Sequence, residues 1–108
     1  MNSRAKGCRG EREFAQFLRD KGINARRGQQ FSGGTDSPDV VSDLTGVHFE
    51  VKRVEQGNLY NWVDQAFRDA GIKLPVVAHK RNNKEWVGIL NMHDLINILK
   101  VYYGRVND

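Results

Sequence analysis

"SPDVVSDLTGVHFEVKR", residues 37–53, is the stretch whose reading decides the fold. Residues 38–44 and 46–53 read as two short strands of a hairpin that turns near Thr45-Gly46. Side chains on a strand alternate between faces, so Val47, Phe49 and Val51 share one side while His48, Glu50 and Lys52 share the other. The apolar trio suits a core. The polar trio must line a cleft or meet water. Glu50 and Lys52 stand about 7 Å apart on one face, close enough to act on a single bound group. A hairpin centred between residues 44 and 45 also sets Asp39 beside Glu50. Two carboxylates held that near one another are unfavourable unless a cation sits between them. Hard oxygen ligands with room left for water and phosphate suit Mg²⁺ or Mn²⁺. Such an ion lowers the pKa of a bound water and neutralises charge that builds on a phosphate. Lys52 is then placed to orient that water or to stabilise charge at phosphorus. Simpler readings exist for each residue alone. Asp39 after Pro38 suits a turn, Glu-x-Lys suits a solvated strand face, His48 the surface or a cleft wall and Asp43 the turn itself. The combination favours a site.

Outward from this stretch, "CRGEREFAQFLRDKG" places Phe14, Phe17 and Leu18 at helical spacing and predicts a helix over about residues 8–21, stopped by Gly22. "INARR" reads as a short edge strand, and "GQQFSGGTDS" as a glycine-rich mobile loop beside whatever is bound. "NLYNWVDQAFRDAG" carries an apolar helical stripe of Leu59, Trp62, Val63, Ala66, Phe67 and Ala70, ended by Gly71. "LPVVAHK" and "EWVGIL" are two further strands joined by the turn "RNNK". The last helix has Asn91 as its N-cap, with Leu95, Ile98, Leu99 and Tyr102 on one face. The order is α-β-β-β-α-β-β-α, with the middle helix as a crossover. The expected fold is a single α/β domain spanning residues 1–108, a mixed sheet flanked by helices.

Composition sets the outer bounds. Hydrophobic content of 39% and charged content of 28% suit a soluble globular chain. Seventeen basic residues against thirteen acidic ones leave a net charge of +4. The excess is concentrated in residues 1–30, where eight basic side chains face three acids, which points to a polyanionic partner. The single cysteine, Cys8, excludes an internal disulfide and a CxxC zinc site. No apolar run is long enough to span a bilayer and no secretion signal opens the chain, so the expected location is the cytoplasm, away from membranes.

Pro38-Asp39 followed by Glu50-Val51-Lys52 resembles the PD-(D/E)XK signature of metal-dependent nucleases. Together with "KGCRGEREFAQFLRDKGINARR", "PDVV", "FEVK" and "VVAHK…EWVGI", the resemblance narrows to archaeal-type Holliday-junction resolvases and their small phage relatives, over roughly residues 6–90. It implies a Mg²⁺-dependent DNA endonuclease acting on branched DNA. It makes Asp39 and Glu50 metal ligands, joined by the Val51 carbonyl and by Glu13 through water, with Lys52 the catalytic lysine and Gln65 a polar helper. Arg4, Lys6, Arg9, Arg12, Arg26, Arg27 and Ser32 correspond to DNA-contacting positions, the arginines by bidentate hold on phosphate. The segment "RVEQGNLYNWVDQ" is shorter and less basic than such resolvases carry there, which bears on junction specificity more than on nuclease chemistry. Symmetric incision of a four-way junction needs two active sites and hence a homodimer. The apolar last helix suits either part of that interface or closure of the core. Two alternatives remain open: a nuclease for flaps, nicked or duplex DNA, and a non-catalytic DNA-binding module.

Overall fold

The computed structural model describes residues 3–28 and 39–105, with side chains from Gly7 onward in the first helix. Eight elements follow in the expected order: α1 (Ser3–Asp20), β1 (Ala25–Arg27), β2 (Val40–Ser42), β3 (Val47–Lys52), α2 (Leu59–Ala70), β4 (Leu74–His79), β5 (Val87–Ile89) and α3 (Met92–Tyr102). α1 begins about five residues before the expected start, since the segment ahead of Cys8 holds helix formers and no proline. It ends where Gly22 takes φ of 85°, and the Ile23 amide turns back to the Leu18 carbonyl at 3.0 Å. Asn58 and Asn91 cap α2 and α3 by accepting from the amides of Asn61 and Asp94.

β3 and β4 pair in parallel from Val47↔Leu74 to Lys52↔His79, and α2 is the crossover between them. β5 adds antiparallel to β4, completing a mixed three-stranded ladder. The hairpin expected from residues 38–53 is not formed. β2 pairs instead with β1, Ala25↔Ser42 through Arg27↔Val40, and makes no ladder with β3. Asp43 is the cause. Its amide donates to the Asn24 carbonyl and its carboxylate accepts from the Asn24 amide, which extends the hold of β2 on β1. The Leu44 amide then bonds the Ser42 hydroxyl and the Val47 amide the Leu44 carbonyl, a tight turn that leads β3 away into its own ladder.

The core lies between α1 and the strands. Phe14, Ala15 and Leu18 pack with Val40, Phe49 and Ala78, and the rings of Phe14, Phe49 and Trp86 form an aromatic cluster with centroids about 5 Å apart. Phe49 faces this core as its strand parity requires. α2 contributes only Ala66 and Ala70 to buried positions, and Phe67 of the expected stripe stands 68% exposed. α3 has no fully buried residue, so it does not close the core. No described helix is long and apolar enough to cross a membrane.

Candidate active site

The site is organised by the polar face of β3. Ala66 and Ala70 let α2 approach the sheet closely, and Gln65 and Asp69, one turn apart on the same helix, reach down to that face. Lys52 Nζ donates to Gln65 Oε1 at 3.0 Å. Glu50 and His48 are both buried, with His48 Nε2 at 3.4 Å from Glu50 Oε1. Ligand atoms of His48, Glu50 and Asp69 all lie within 4.8 Å of one another, a geometry able to hold a metal ion. His48 is therefore part of the buried polar cluster, not a surface residue.

Asp39 reaches Glu50 without a hairpin. The Gly28 amide holds the Asp39 carbonyl at 2.9 Å, which extends the β1–β2 pairing by one residue. Asp39 Oδ2 in turn accepts from the Val51 amide at 2.9 Å, so the end of β2 is anchored against the edge of β3. The carboxyls of Asp39 and Glu50 are close enough to shift one another's titration. Burial, and then the charge of Glu50, raise Asp39 to about 7, against the downward pull of the Val51 amide. Burial also pushes Glu50 upward, but hydrogen bonds from His48 and Asp39 and the Lys52 ammonium outweigh it and hold Glu50 below its ordinary value. The two carboxyls titrate as a coupled pair, with Asp39 raised and Glu50 lowered.

Of the two first-helix acids, Glu13 is engaged by Arg53 and Lys80, whereas Glu11 lies in the field of the carboxyl pair. Glu13 accepts from Arg53 Nε at 3.0 Å and lies 3.5 Å from Lys80 Nζ, an ion-pair cluster that ties α1 to the ends of β3 and β4. Glu11 instead shares the field of the carboxyl pair: Glu50 pushes it upward after burial does, and Glu11 in turn raises Asp39. Residues two apart on a helix point some 200° apart, so Glu11 and Glu13 serve different surfaces. The signal was present in the sequence. Glu11, Phe14, Ala15 and Leu18 fall at i, i+3, i+4 and i+7, so Glu11 belongs to the buried stripe itself.

Among the expected DNA-contacting residues, Arg9, Arg12 and Arg26 are exposed. Arg27 is half-buried at the site, with Nη2 2.8 Å from Cys8 Sγ and Nε 3.9 Å from Glu11. Ser32, Pro38 and the loop "GQQFSGGTDS" from Gln29 onward, as well as the side chains of Arg4 and Lys6, lie outside the described residues.

A buried Glu50 beside half-buried Asp39, a third acid with its Oε2 buried and without a hydrogen-bond partner, and a lysine two residues from Glu50 make a donor set suited to a hard divalent cation. The same set can position a phosphate and a water.

Comparison with known proteins agrees with this chemistry. The family model described as archaeal Holliday junction resolvase (hjc) matches residues 2–97. No curated protein matches this chain. A solved structure of the Holliday junction resolvase Hjc from Archaeoglobus fulgidus, an archaeal hyperthermophile, is similar in fold, with TM-score 0.57 and 24% identity over 75% of this chain and 72% of that one.

Proposed function

The chain belongs to the archaeal Holliday junction resolvase family and is a junction-resolving endonuclease; from that premise we propose how its residues perform the cut and in what assembly. Asp39, Glu50 and the Val51 carbonyl would hold Mg²⁺, with Mn²⁺ able to replace it, and Glu11 would complete the acid set. The Val51 amide faces Asp39, and in an extended strand a residue's carbonyl leaves by the same edge as its amide, which supports the carbonyl assignment. When bound, the ion supplies a water of lowered pKa and neutralises charge on the scissile phosphate.

The residues do the positioning. Gln65 holds the Lys52 ammonium, and an ammonium has three donors, so two remain for a phosphate oxygen and the attacking water. Buried His48 steadies Glu50. The exposed Arg9, Arg12 and Arg26 offer phosphate contacts beyond the cut. The observation that carries the reading is the Asp39–Glu50 pair. A carboxyl raised to about 7 against a buried carboxylate, beside a lysine, stabilises nothing by itself and gains its purpose from a cation.

Resolution by paired incision calls for two sites, hence a homodimer. Support comes from α3, where Ile96, Ile98, Leu99, Val101 and Tyr102 are 40–77% exposed on a helix with no fully buried residue. Action on chromosomal or phage DNA makes the cytoplasm the site of work.

The test is incubation of labelled four-way junction, flap and linear duplex with Mg²⁺, using wild type, Asp39→Asn, Glu50→Gln and Lys52→Ala. Wild type cuts the junction in preference to the other two, and the variants bind without cutting. Cutting that persists in Glu50→Gln would overturn the site. Cutting of all three substrates alike would overturn the junction preference. Binding that needs no divalent ion and leads to no cut would favour a non-catalytic module.

A further inference from the structure

A second cavity adjoins the site and has no part in the metal chemistry. It measures about 480 Å³ and lies where the parallel strands β3 and β4 end, between the loop after β3, the first turns of α2 and the turn before β5. Crevices at the carboxyl ends of parallel strands are where open α/β sheets take their ligands. Its wall is an aromatic corner, with the ring centroids of Trp62 and His79 4.8 Å apart. Both rings are held. His79 Nε2 lies 3.0 Å from the Val54 carbonyl, and Gly57 packs so close to the indole that a Cβ there would stand 2.2 Å from Trp62 Cζ2.

The charges around the corner are sorted. Lys80 is neutralised by Glu13 and Glu55 by Arg53, which leaves Arg81, Lys84 and Glu85 without an ion pair among the described residues. Arg81 and Lys84 sit at the two ends of one turn, with the Lys84 amide bonded to the Arg81 carbonyl. A planar apolar wall beside two unpaired cations, which outnumber the one unpaired acid Glu85, is complementary to a nucleotide: a base for the rings, a phosphate for the cations. The volume lies in the range of small-ligand pockets.

The cavity is next to Lys52 through its lining residue His79. Lys52 and His79 stand opposite each other in the parallel ladder, and Trp62 precedes the Lys52 partner Gln65 by three residues on the same helix face. Neighbouring strands are about 4.8 Å apart, and a DNA strand advances about 3.4 Å per nucleotide. A strand whose phosphate meets Lys52 therefore reaches the cavity within about three nucleotides.

We infer that this pocket receives one unpaired nucleotide of the branched DNA, its base on Trp62 and His79 and its phosphate on Arg81 and Lys84, close to the scissile bond. The inference rests on the junction-endonuclease reading and deepens it. Taking a base out of a stack costs least where pairing is already broken. A fixed aromatic pocket near the catalytic lysine thus favours a branch point over continuous duplex and supplies a source of structure selectivity in the segment between β3 and α2.

Photo-crosslinking tests it. Four-way junctions carrying 5-iodouracil at successive positions on either side of the branch are bound to the full chain in Ca²⁺, irradiated and mapped by mass spectrometry. Expected is a crosslink to Trp62 from a position within about three nucleotides of the branch, with none from linear duplex of the same sequence. Crosslinks only elsewhere, or equal yields from duplex, overturn the inference. Trp62→Ala should weaken junction binding about 5- to 150-fold, as loss of one base stack does, with duplex affinity unchanged. Equal loss on both DNAs overturns selectivity for the branch. Because Trp62 also packs on Gly57, the exposed pair Arg81→Ala and Lys84→Ala, checked by thermal melting, gives a second reading. Unchanged junction affinity in that double variant overturns the phosphate contact. If wild type cuts junctions while the crosslink fails, only the pocket falls. If wild type cuts no junction, the underlying reading falls.

Discussion

Replacing Asp39 by asparagine should make the protein more stable while making it inactive, and the size of the gain is set by the carboxyl pair. In the fold Asp39 titrates near 7, against an ordinary value of 3.8. Between these values the folded chain holds a proton that the unfolded chain has lost, so wild-type stability falls as pH rises through that window and levels off above about 7. A shift of about three pKa units corresponds to a ceiling of about 4 kcal/mol. The opposite shift of Glu50 belongs to the same coupled pair and offsets part of it, and solvent reaches half-buried Asp39. We therefore expect about 1–2 kcal/mol at pH 8. Asparagine keeps the acceptor for the Val51 amide and carries no charge. In chelator at pH 8, Asp39→Asn should melt about 5–15 °C above wild type for a domain of this length. At pH 4.5 the two should nearly coincide. Millimolar Mg²⁺ at pH 8 should then raise the wild-type melting point and leave the variant where it was, because only the wild type binds the ion with the pair intact. The measurement is differential scanning calorimetry in matched buffers. A variant that melts at or below wild type at pH 8, or exceeds it equally at both pH values, refutes the account of the pair.

Three further outcomes are expected. Glu11→Gln should slow junction cutting about 10- to 100-fold, whereas Glu13→Gln should cut within about threefold of wild type and lose about 0.5–1 kcal/mol of stability by releasing Arg53; single-turnover kinetics showing the reverse order would restore Glu13 to the site. Gly10→Ala should destabilise by about 1–3 kcal/mol, since its Cβ would stand 2.5 Å from Arg53 Cβ with backbone on both sides; an unchanged urea midpoint would contradict that packing. Ile98→Asp and Tyr102→Lys should convert a dimer to a monomer in sedimentation without loss of helix content, because α3 has no fully buried residue; wild type sedimenting as a monomer would remove α3 as an interface.

What the sequence made legible followed from local pattern. The two-residue period of "GVHFEVKR" placed Phe49 in the core and Glu50 with Lys52 on the working face, and Asn91, Gly22 and Gly71 marked helix ends where they occur. Pairing was less legible. The hairpin reading failed because register there depends on Asp43 bonding Asn24, a contact nineteen residues away that no local pattern encodes. Yet it brought Asp39 and Glu50 together correctly, since a side-chain bond from Asp39 to the Val51 amide does the work a ladder bond would have done. Glu13 is named by the resemblance alone, while burial on a helix follows the i, i+3, i+4 rows, on which Glu11 falls with Phe14, Ala15 and Leu18. Asp69 was hidden for a different reason. Its place beside His48 and Glu50 depends on two alanines bringing α2 down onto β3, and an alanine in a helical stripe carries no sign of what it lets approach.

These features share one cause, the small size of the domain. The interior is built from few large side chains. α2 gives it only alanines, and among the described residues Val77 is the largest side chain that is fully buried. Into that modest core the fold also places a carboxyl pair whose mutual repulsion works against folding. Active-site residues commonly oppose stability in this way. The compensation must come from whatever the folded state binds and the unfolded state does not: an ion between the carboxylates, a strand along the basic face, a second copy over α3. Each of these is also a requirement for cutting a junction. Stability and catalytic competence are therefore linked through the same ligands, and the isolated chain in chelator should be both its least active and its least stable form.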